Sequence, residues 1–167
     1  MSDRDTAFAA YFAARSEAMR GTAYLLCGDW HRAEDLVQAT FAKLYVAWRR
    51  VNRHEALDAY TRRALVRTFV SDLRRGWFRR ERVGVPAAEA PAVGGGSPED
   101  RLVLLDALAR VPPRQRAVIV LRYWEDLSVE DTARALGCSE GTVKSQAARG
   151  LQTLRGLVAP QLGEEVR

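Results

Sequence analysis

Ser128-Val129-Glu130-Asp131-Thr132-Ala133-Arg134-Ala135-Leu136-Gly137-Cys138-Ser139-Glu140-Gly141-Thr142-Val143-Lys144-Ser145-Gln146-Ala147-Ala148-Arg149 is the stretch that decides the fold of this chain. Ser128 with Asp131 three residues on has the form of a capping box, and it opens a short helix that ends at Leu136. Gly137-Cys138-Ser139 makes the turn, and Ser139 caps a last helix expected to reach about residue 157. Two helices across such a glycine-containing turn form a helix-turn-helix.

An advance of about 100° per residue gathers Val143, Ala147, Gly150, Leu151 and Leu154 on one arc of the last helix. Thr142, Ser145, Gln146 and Arg149 fall on the opposite arc, flanked by Lys144 and free of carboxylates. The apolar arc is what a helix packed on its own domain requires. Hydroxyl, amide and guanidinium groups on the other arc can donate to base edges and phosphates in a major groove, which admits one helix. A solvated face that merely lacks acid is the plain alternative, and the preceding helix and turn favour DNA reading.

Upstream of this motif, Pro98-Glu99-Asp100 opens a helix through Ala109. Pro112-Pro113 stops it and starts another that is expected to run to Trp124, proline being suited to a first helical turn. Residues 84–98 hold three prolines and the triplet Gly94-Gly95-Gly96 without apolar periodicity, which marks a linker. A phosphate-binding loop is a poor reading of that triplet, because no Lys-Ser/Thr follows it and no strand precedes it.

Before the linker come three helical patterns. The first spans residues 6–26, with Phe8, Tyr11, Phe12, Met19, Ala23 and Leu26 on one side and Gly28 ending it. Asp29 is placed to cap the second, whose stripe is Ala33, Val37, Thr40, Phe41, Leu44 and Trp48. Its outer side carries Asp35, Gln38, Ala42, Tyr45 and Val46, a mixture that suits a protein partner with basic groups. A polar break at residues 51–55 precedes the third, residues 56–75. Strand alternation is convincing nowhere. The expectation is an all-α chain of two small helical domains joined by a flexible linker, the second a four-helix domain with the helix-turn-helix. The boundaries read as 1–83, a linker 84–98, 99–160 and a tail 161–167.

Charge sharpens this picture. The net charge is +5, and residues 62–82 alone hold 8 basic against 2 acidic residues, so one short stretch carries the excess. Arg63, Arg67 and Arg74 lie within about 40° on the third helix, opposite Leu65, Phe69 and Leu73, and Arg75, Arg79, Arg80 and Arg82 continue the run with Trp77 and Phe78 interleaved. Cations bind phosphates and aromatic rings stack on unpaired bases, whereas a solvated basic face would need neither. Arg62 is out of register and projects toward the apolar arc. No apolar run reaches the roughly 20 residues of a membrane helix, and Met1-Ser2-Asp3-Arg4-Asp5 lacks the form of a secretion signal. A cytoplasmic protein is expected. Cys27 and Cys138 stand alone in their segments and read as packed thiols rather than metal ligands, so no metal or other cofactor is expected.

These segments together resemble the extracytoplasmic-function sigma factors, the smallest class of the family that directs bacterial RNA polymerase. The resemblance rests on Leu105-Asp106-Ala107-Leu108, Pro112-Pro113-Arg114-Gln115-Arg116, and Leu121-Arg122-Tyr123-Trp124-Glu125-Asp126-Leu127-Ser128, followed by Gly141-Thr142-Val143-Lys144-Ser145 and Arg149. That set is similar to the family's carboxy-terminal, −35-reading domain, and implies −35 contacts from Thr142, Lys144, Ser145, Gln146 and Arg149. Ala33-Glu34-Asp35-Leu36-Val37-Gln38-Ala39-Thr40-Phe41 resembles the segment that grips the polymerase clamp helices, and implies core-polymerase contacts from Asp35, Leu36, Gln38 and Phe41. Residues 60–75 resemble the segment that meets the opened −10 element, and residues 51–57 the loop that captures a flipped base. They imply −10 contacts from Asn52, Arg53, His54, Arg63, Arg67, Arg74 and Arg75. The pattern is nearest to an actinobacterial, sigma-E-like subgroup, although Tyr60, Arg67 and Gln146 stand where many relatives have Trp, Asn and Arg.

The resemblance implies a monomer when free that binds core RNA polymerase through its clamp helices and flap, binds promoter DNA, and is held by an anti-sigma protein. An ordinary helix-turn-helix regulator would account for residues 128–157, but not for an acidic-apolar helix followed by a basic one. A DNA-strand transferase needs a nucleophile and acid–base or metal groups in one pocket, and His31 and His54 sit in different segments without matching partners. A non-enzymatic protein is the expectation.

Overall fold

The computed structural model describes residues 1–52, 55–75 and 97–162. Seven α-helices follow one another there: α1 (Asp3–Cys27), α2 (Trp30–Val51), α3 (Leu57–Arg74), α4 (Pro98–Arg110), α5 (Pro113–Ile119), α6 (Val129–Leu136) and α7 (Glu140–Leu162). No strand occurs among the described residues.

Local chemistry sets the helix ends. The Ser2 and Ser97 hydroxyls each accept from the backbone three residues on, and Asp5 and Asp100 return the bond, so two complete capping boxes start α1 and α4. Asp29 accepts from the amides of His31 and Arg32 at 2.7 and 3.2 Å and starts α2. Gly28 closes α1 in the left-handed region, at φ 72°, where a side chain would be strained. Ser128 caps α6 through the amide of Asp131 at 3.0 Å, but the Asp131 carboxylate faces Arg134 instead of completing a box.

The helices depart from the sequence expectation in several places. The helix begun by Pro113 widens after Ile119 into a π-helical turn, Val120–Trp124, in which the Glu125 amide reaches the Val120 carbonyl at 3.0 Å. Arg122 donates to the Leu127 carbonyl and closes the turn beyond it, where Asp126 takes φ 55°. α7 runs past residue 157 to Leu162 and tolerates Pro160 in its last turns. Val51 is the final residue of α2 and is buried, while Leu57 is the first of α3, so the link between the two helices is shorter than residues 51–57.

α1, α2 and α3 pack around Met19, Ala23, Leu26, Leu36, Phe41, Leu44, Trp48, Leu65 and Phe69. Burying a Leu or Phe of this kind stabilises by about 1.5–3 kcal/mol. Phe8 sets its ring edge-on to Phe41, Tyr45 and Trp48 at 6.2, 5.1 and 5.4 Å between centroids. In the second domain Val118, Ala133 and Val143 form the centre that holds α5, α6 and α7 together. Gly150 lets α7 lie close on α5: a Cβ there would stand 2.8 Å from Ile119 Cδ1 and 3.2 Å from Gln115 Cβ.

The two domains also pack on each other. Leu105, Leu108, Val111, Ala117, Ile119 and Val120 join the core of the first three helices. Val66 of α3 meets Leu121 and Ala135, with Val70, Leu127 and Leu136 around them. The Arg116 side chain is buried near Gly28 and donates to the Ala109 carbonyl at 2.9 Å.

Candidate nucleic-acid interface

The geometry of the α7 face follows from its anchor. Val143 is fully buried between α5 and α6, which turns the opposite arc outward. Thr142, Lys144, Ser145 and Arg149 are exposed there and Gln146 is half-buried. The Ser139 hydroxyl accepts from the Thr142 amide at 3.1 Å and lies 2.9 Å from the Thr142 hydroxyl, fixing the first turn. Ser145 donates to the Thr142 carbonyl at 3.1 Å, which leaves its oxygen lone pairs outward. Gly137, at φ 67°, makes the sharp turn that aims the helix.

A second cationic surface forms between α2 and α3. Lys43, Tyr60, Arg63, Ala64, Arg67 and Thr68 line a groove of about 370 Å³. Lys43 reaches Thr68 Oγ1 at 3.1 Å from the neighbouring helix, so the groove holds three cations where the α3 sequence alone showed two of them. Lys43 belongs to α2, and nothing local in the sequence signals its place.

Arg74 does not share this groove, although it shares a helical face with Arg63 and Arg67. It lines a separate cleft of about 100 Å³ with Val70, Leu73, Arg114, Leu136, Thr142 and Gln146 among its walls. The reason is tertiary: α6 docks on the carboxy-terminal half of α3 through Val66 and Val70 and divides that face in two. Asn52 and Arg75 are exposed at the ends of α2 and α3. Arg53 and His54 lie outside the described residues, as do Trp77, Phe78, Arg79, Arg80, Arg82 and the glycine triplet.

The outer face of α2 exposes Asp35, Gln38, Ala42, Tyr45 and Val46, with Val46 81% exposed. Leu36 and Phe41 point the other way and are only 1% and 3% exposed, so a partner laid on this face would meet Asp35 and Gln38 rather than them. Tyr45 is held in place: its hydroxyl donates to Asp5 at 2.6 Å, Arg4 donates to its carbonyl at 2.6 Å, and the Arg4 guanidinium lies 4.5 Å from its ring centre. The Asp5 carboxyl is lowered by the bonds from Tyr45 and Ser2.

Neither thiol is poised for chemistry. Burial pushes the Cys27 thiol far above its usual range, and burial raises Cys138 against the opposing pull of Arg114. Among the described residues no group of three or more His, Cys, Asp or Glu could hold a metal ion, and no helix is long and apolar enough to cross a membrane.

The two halves of the chain match known protein families. Residues 6–79 match the family model for sigma-70 region 2, and residues 101–154 match that for sigma-70, region 4. The chain is 38% identical over 157 residues to the RNA polymerase sigma-E factor of Streptomyces coelicolor, covering 89% of this chain and 84% of that one. The chain belongs to the extracytoplasmic-function sigma factors. It is 33% identical to the ECF RNA polymerase sigma factor SigL of Mycobacterium tuberculosis, over 83% of this chain and 80% of the relative. Among solved structures, the sigma factor RpoE from Bartonella quintana, in complex with the anti-sigma factor NepR, superposes with a TM-score of 0.71 at 28% identity. That match covers 91% of this chain and 96% of the other. The chain is thus a promoter-recognising RNA polymerase sigma factor, a transcription initiation factor.

Proposed function

We propose that residues 99–160 of this sigma factor read the −35 element with α7, and that residues 1–83 hold core polymerase and open the −10 element, with 84–98 as the linker and 161–167 as the tail. The observation that carries this is the outward arc of α7, free of carboxylates and anchored by Val143. Gln146 and Arg149 can contact base edges, Thr142 and Ser145 can accept or donate beside them, and Lys144 suits a phosphate. The Lys43–Arg63–Arg67 groove suits the phosphates of a separated strand, and Tyr60 offers a ring for stacking. Asn52, Arg53 and His54 would meet the extruded base, while Arg74 and Arg75 extend the path of the strand. Asp35 and Gln38, with exposed Val46 beside the pinned Tyr45, fit the clamp helices, and the second domain fits the flap.

The resemblance to a sigma factor solved with an anti-sigma factor supports an anti-sigma partner for this chain too. On this reading the protein acts in the cytoplasm and is a monomer when free. The test is run-off transcription by purified core with a randomised −35 library. Gln146→Ala should shift the selected sequence at one position, because a bidentate contact discriminates by about 1–3 kcal/mol. Lys144→Ala should weaken all promoters alike and flatten the salt dependence. The same preference from wild type and the Gln146 variant would remove Gln146 from the reading surface.

A further inference from the structure

The amino-terminal end of α3 is held from behind by α1. Ser2, Asp29, Ser97 and Ser128 cap α1, α2, α4 and α6 through their side chains, whereas Ala56, which precedes α3, gives no such bond. Asp58, the acid of that first turn, directs both carboxylate oxygens to α1. Its Oδ1 accepts from the Tyr11 hydroxyl at 2.9 Å, and its Oδ2 accepts from the Arg15 guanidinium in an ion pair. The hydroxyl of Thr61, a buried residue, lies 2.9 Å from the same Tyr11 oxygen. The Tyr11 ring meanwhile packs on Trp48 in the last turns of α2, with 5.5 Å between centroids. One tyrosine thus touches the end of α2 and the start of α3.

This anchor lies on the side of α3 away from the cationic groove. Asp58 and Tyr60 stand about 160° apart at about 100° per residue, and Tyr60 lines the groove with Lys43, Arg63 and Arg67. A helix end without a capping side chain frays readily. Fraying here would swing Tyr60 away from Arg63 and Lys43, which stand on later turns. We propose that Tyr11, Arg15 and Asp58 are positioning residues for −10 recognition: by fixing the first turn of α3 from behind, they set the Tyr60 ring where an unpaired base of the −10 strand stacks. The Arg15 and Asp58 side chains are each 45% exposed, and an ion pair so exposed contributes little to global stability. Its effect belongs to the placement of Tyr60 rather than to melting of the fold. The role rests on the groove being the −10 site.

The experiment uses holoenzyme, the full chain with purified core, and a fluorescent single-stranded oligonucleotide carrying the −10 sequence of a mapped promoter. Tyr11→Phe keeps the ring and removes the hydroxyl, and Arg15→Ala removes the exposed cation. Each should weaken oligonucleotide binding about tenfold, part of what a stacked base contributes. Core affinity and −35 preference should match wild type. Arg15→Lys, which keeps the charge, should recover most of the loss. Tyr60→Ala should weaken binding at least as much, and Arg15→Ala added to it should cause no further loss, because both changes act on one contact. Unchanged affinity in Tyr11→Phe and Arg15→Ala, beside a weakened Tyr60→Ala, would overturn the positioning role and leave the groove reading intact. Losses that add in the double variant would also overturn it, since Arg15 would then touch DNA on its own account. Wild-type binding by Tyr60→Ala would overturn the groove reading and the positioning role together.

Discussion

Asp35 is an exposed carboxylate that stands clear of the hydrophobic core, on the face proposed for core polymerase. It projects from α2 beside Gln38, while its neighbour Leu36 is locked in the core. Asp35→Arg should therefore leave helicity and melting unchanged but weaken association with core polymerase about a hundredfold, since reversing an interfacial charge costs a few kcal/mol. A titration of labelled protein with core checks it, and unchanged affinity would move the grip elsewhere. Asp72 behaves differently. Burial raises its carboxyl above the usual aspartate range, with Arg75 and Lys43 pulling it back. A carboxyl raised in the folded state supports the fold below its unfolded pKa, and that support is lost as pH rises through the folded value. Asp72→Asn should consequently melt above wild type at neutral pH, and the gap should close as the solution is taken into the acid range. A gap that persists at acid pH would mean that the carboxylate charge is not its cause.

At the scale of elements, α7 shows what a period can and cannot reveal. Its apolar arc was legible because Val143, Ala147, Gly150 and Leu154 recur at helical spacing, and Val143 is indeed buried. The closeness of α7 to α5 was not legible, since a glycine in a helix costs about 1 kcal/mol against alanine and carries no sign of its neighbour. The structure supplies that neighbour in Ile119 and Gln115. Gly150→Val should force α5 and α7 apart, at about 1–3 kcal/mol for an overpacked site, and lower the melting temperature. Gly156→Ala, where nothing stands within 4 Å, should not lower it. Equal stability for the two variants would show that the close approach is unimportant. The same limit applies to α3. Its arginines share an angular face, yet Val70 in the midst of that face packs against the second domain and separates Arg74 from Arg63 and Arg67.

On the scale of the whole molecule, the two domains share apolar surface. Leu105, Leu108 and Val120 belong to the same core as Leu26 and Phe69. A domain of some 60 residues buries only about 60% of the surface its unfolded chain exposes and is marginal, so this contact should couple the unfolding of both. Free wild-type protein should then melt in one transition by calorimetry. Glu125→Arg, by breaking the ion pair of Glu125 with Arg62 at this contact, should split it into two. Two transitions in wild type would show that the domains are independent. The division into domains was legible because prolines and glycines at residues 84–98 interrupt every apolar period. How the domains meet was not, because it depends on pairs such as Arg62–Glu125 and Val66–Leu121 that lie far apart in the chain.

The helices, their caps, the helix-turn-helix and the outward arc of α7 follow from the sequence by itself. Each depends on residues within a few turns of one another, where backbone bonding and apolar period decide the outcome. Family membership was legible for a related reason: the motifs are local, and their order along the chain is preserved. Only the tertiary structure decided which basic residues form one groove, that Leu36 is a core residue, and that Arg62 pairs with the second domain. Those outcomes depend on which helix docks against which. The docking is set by shape and burial summed over distant segments, and no spacing within one helix carries that information.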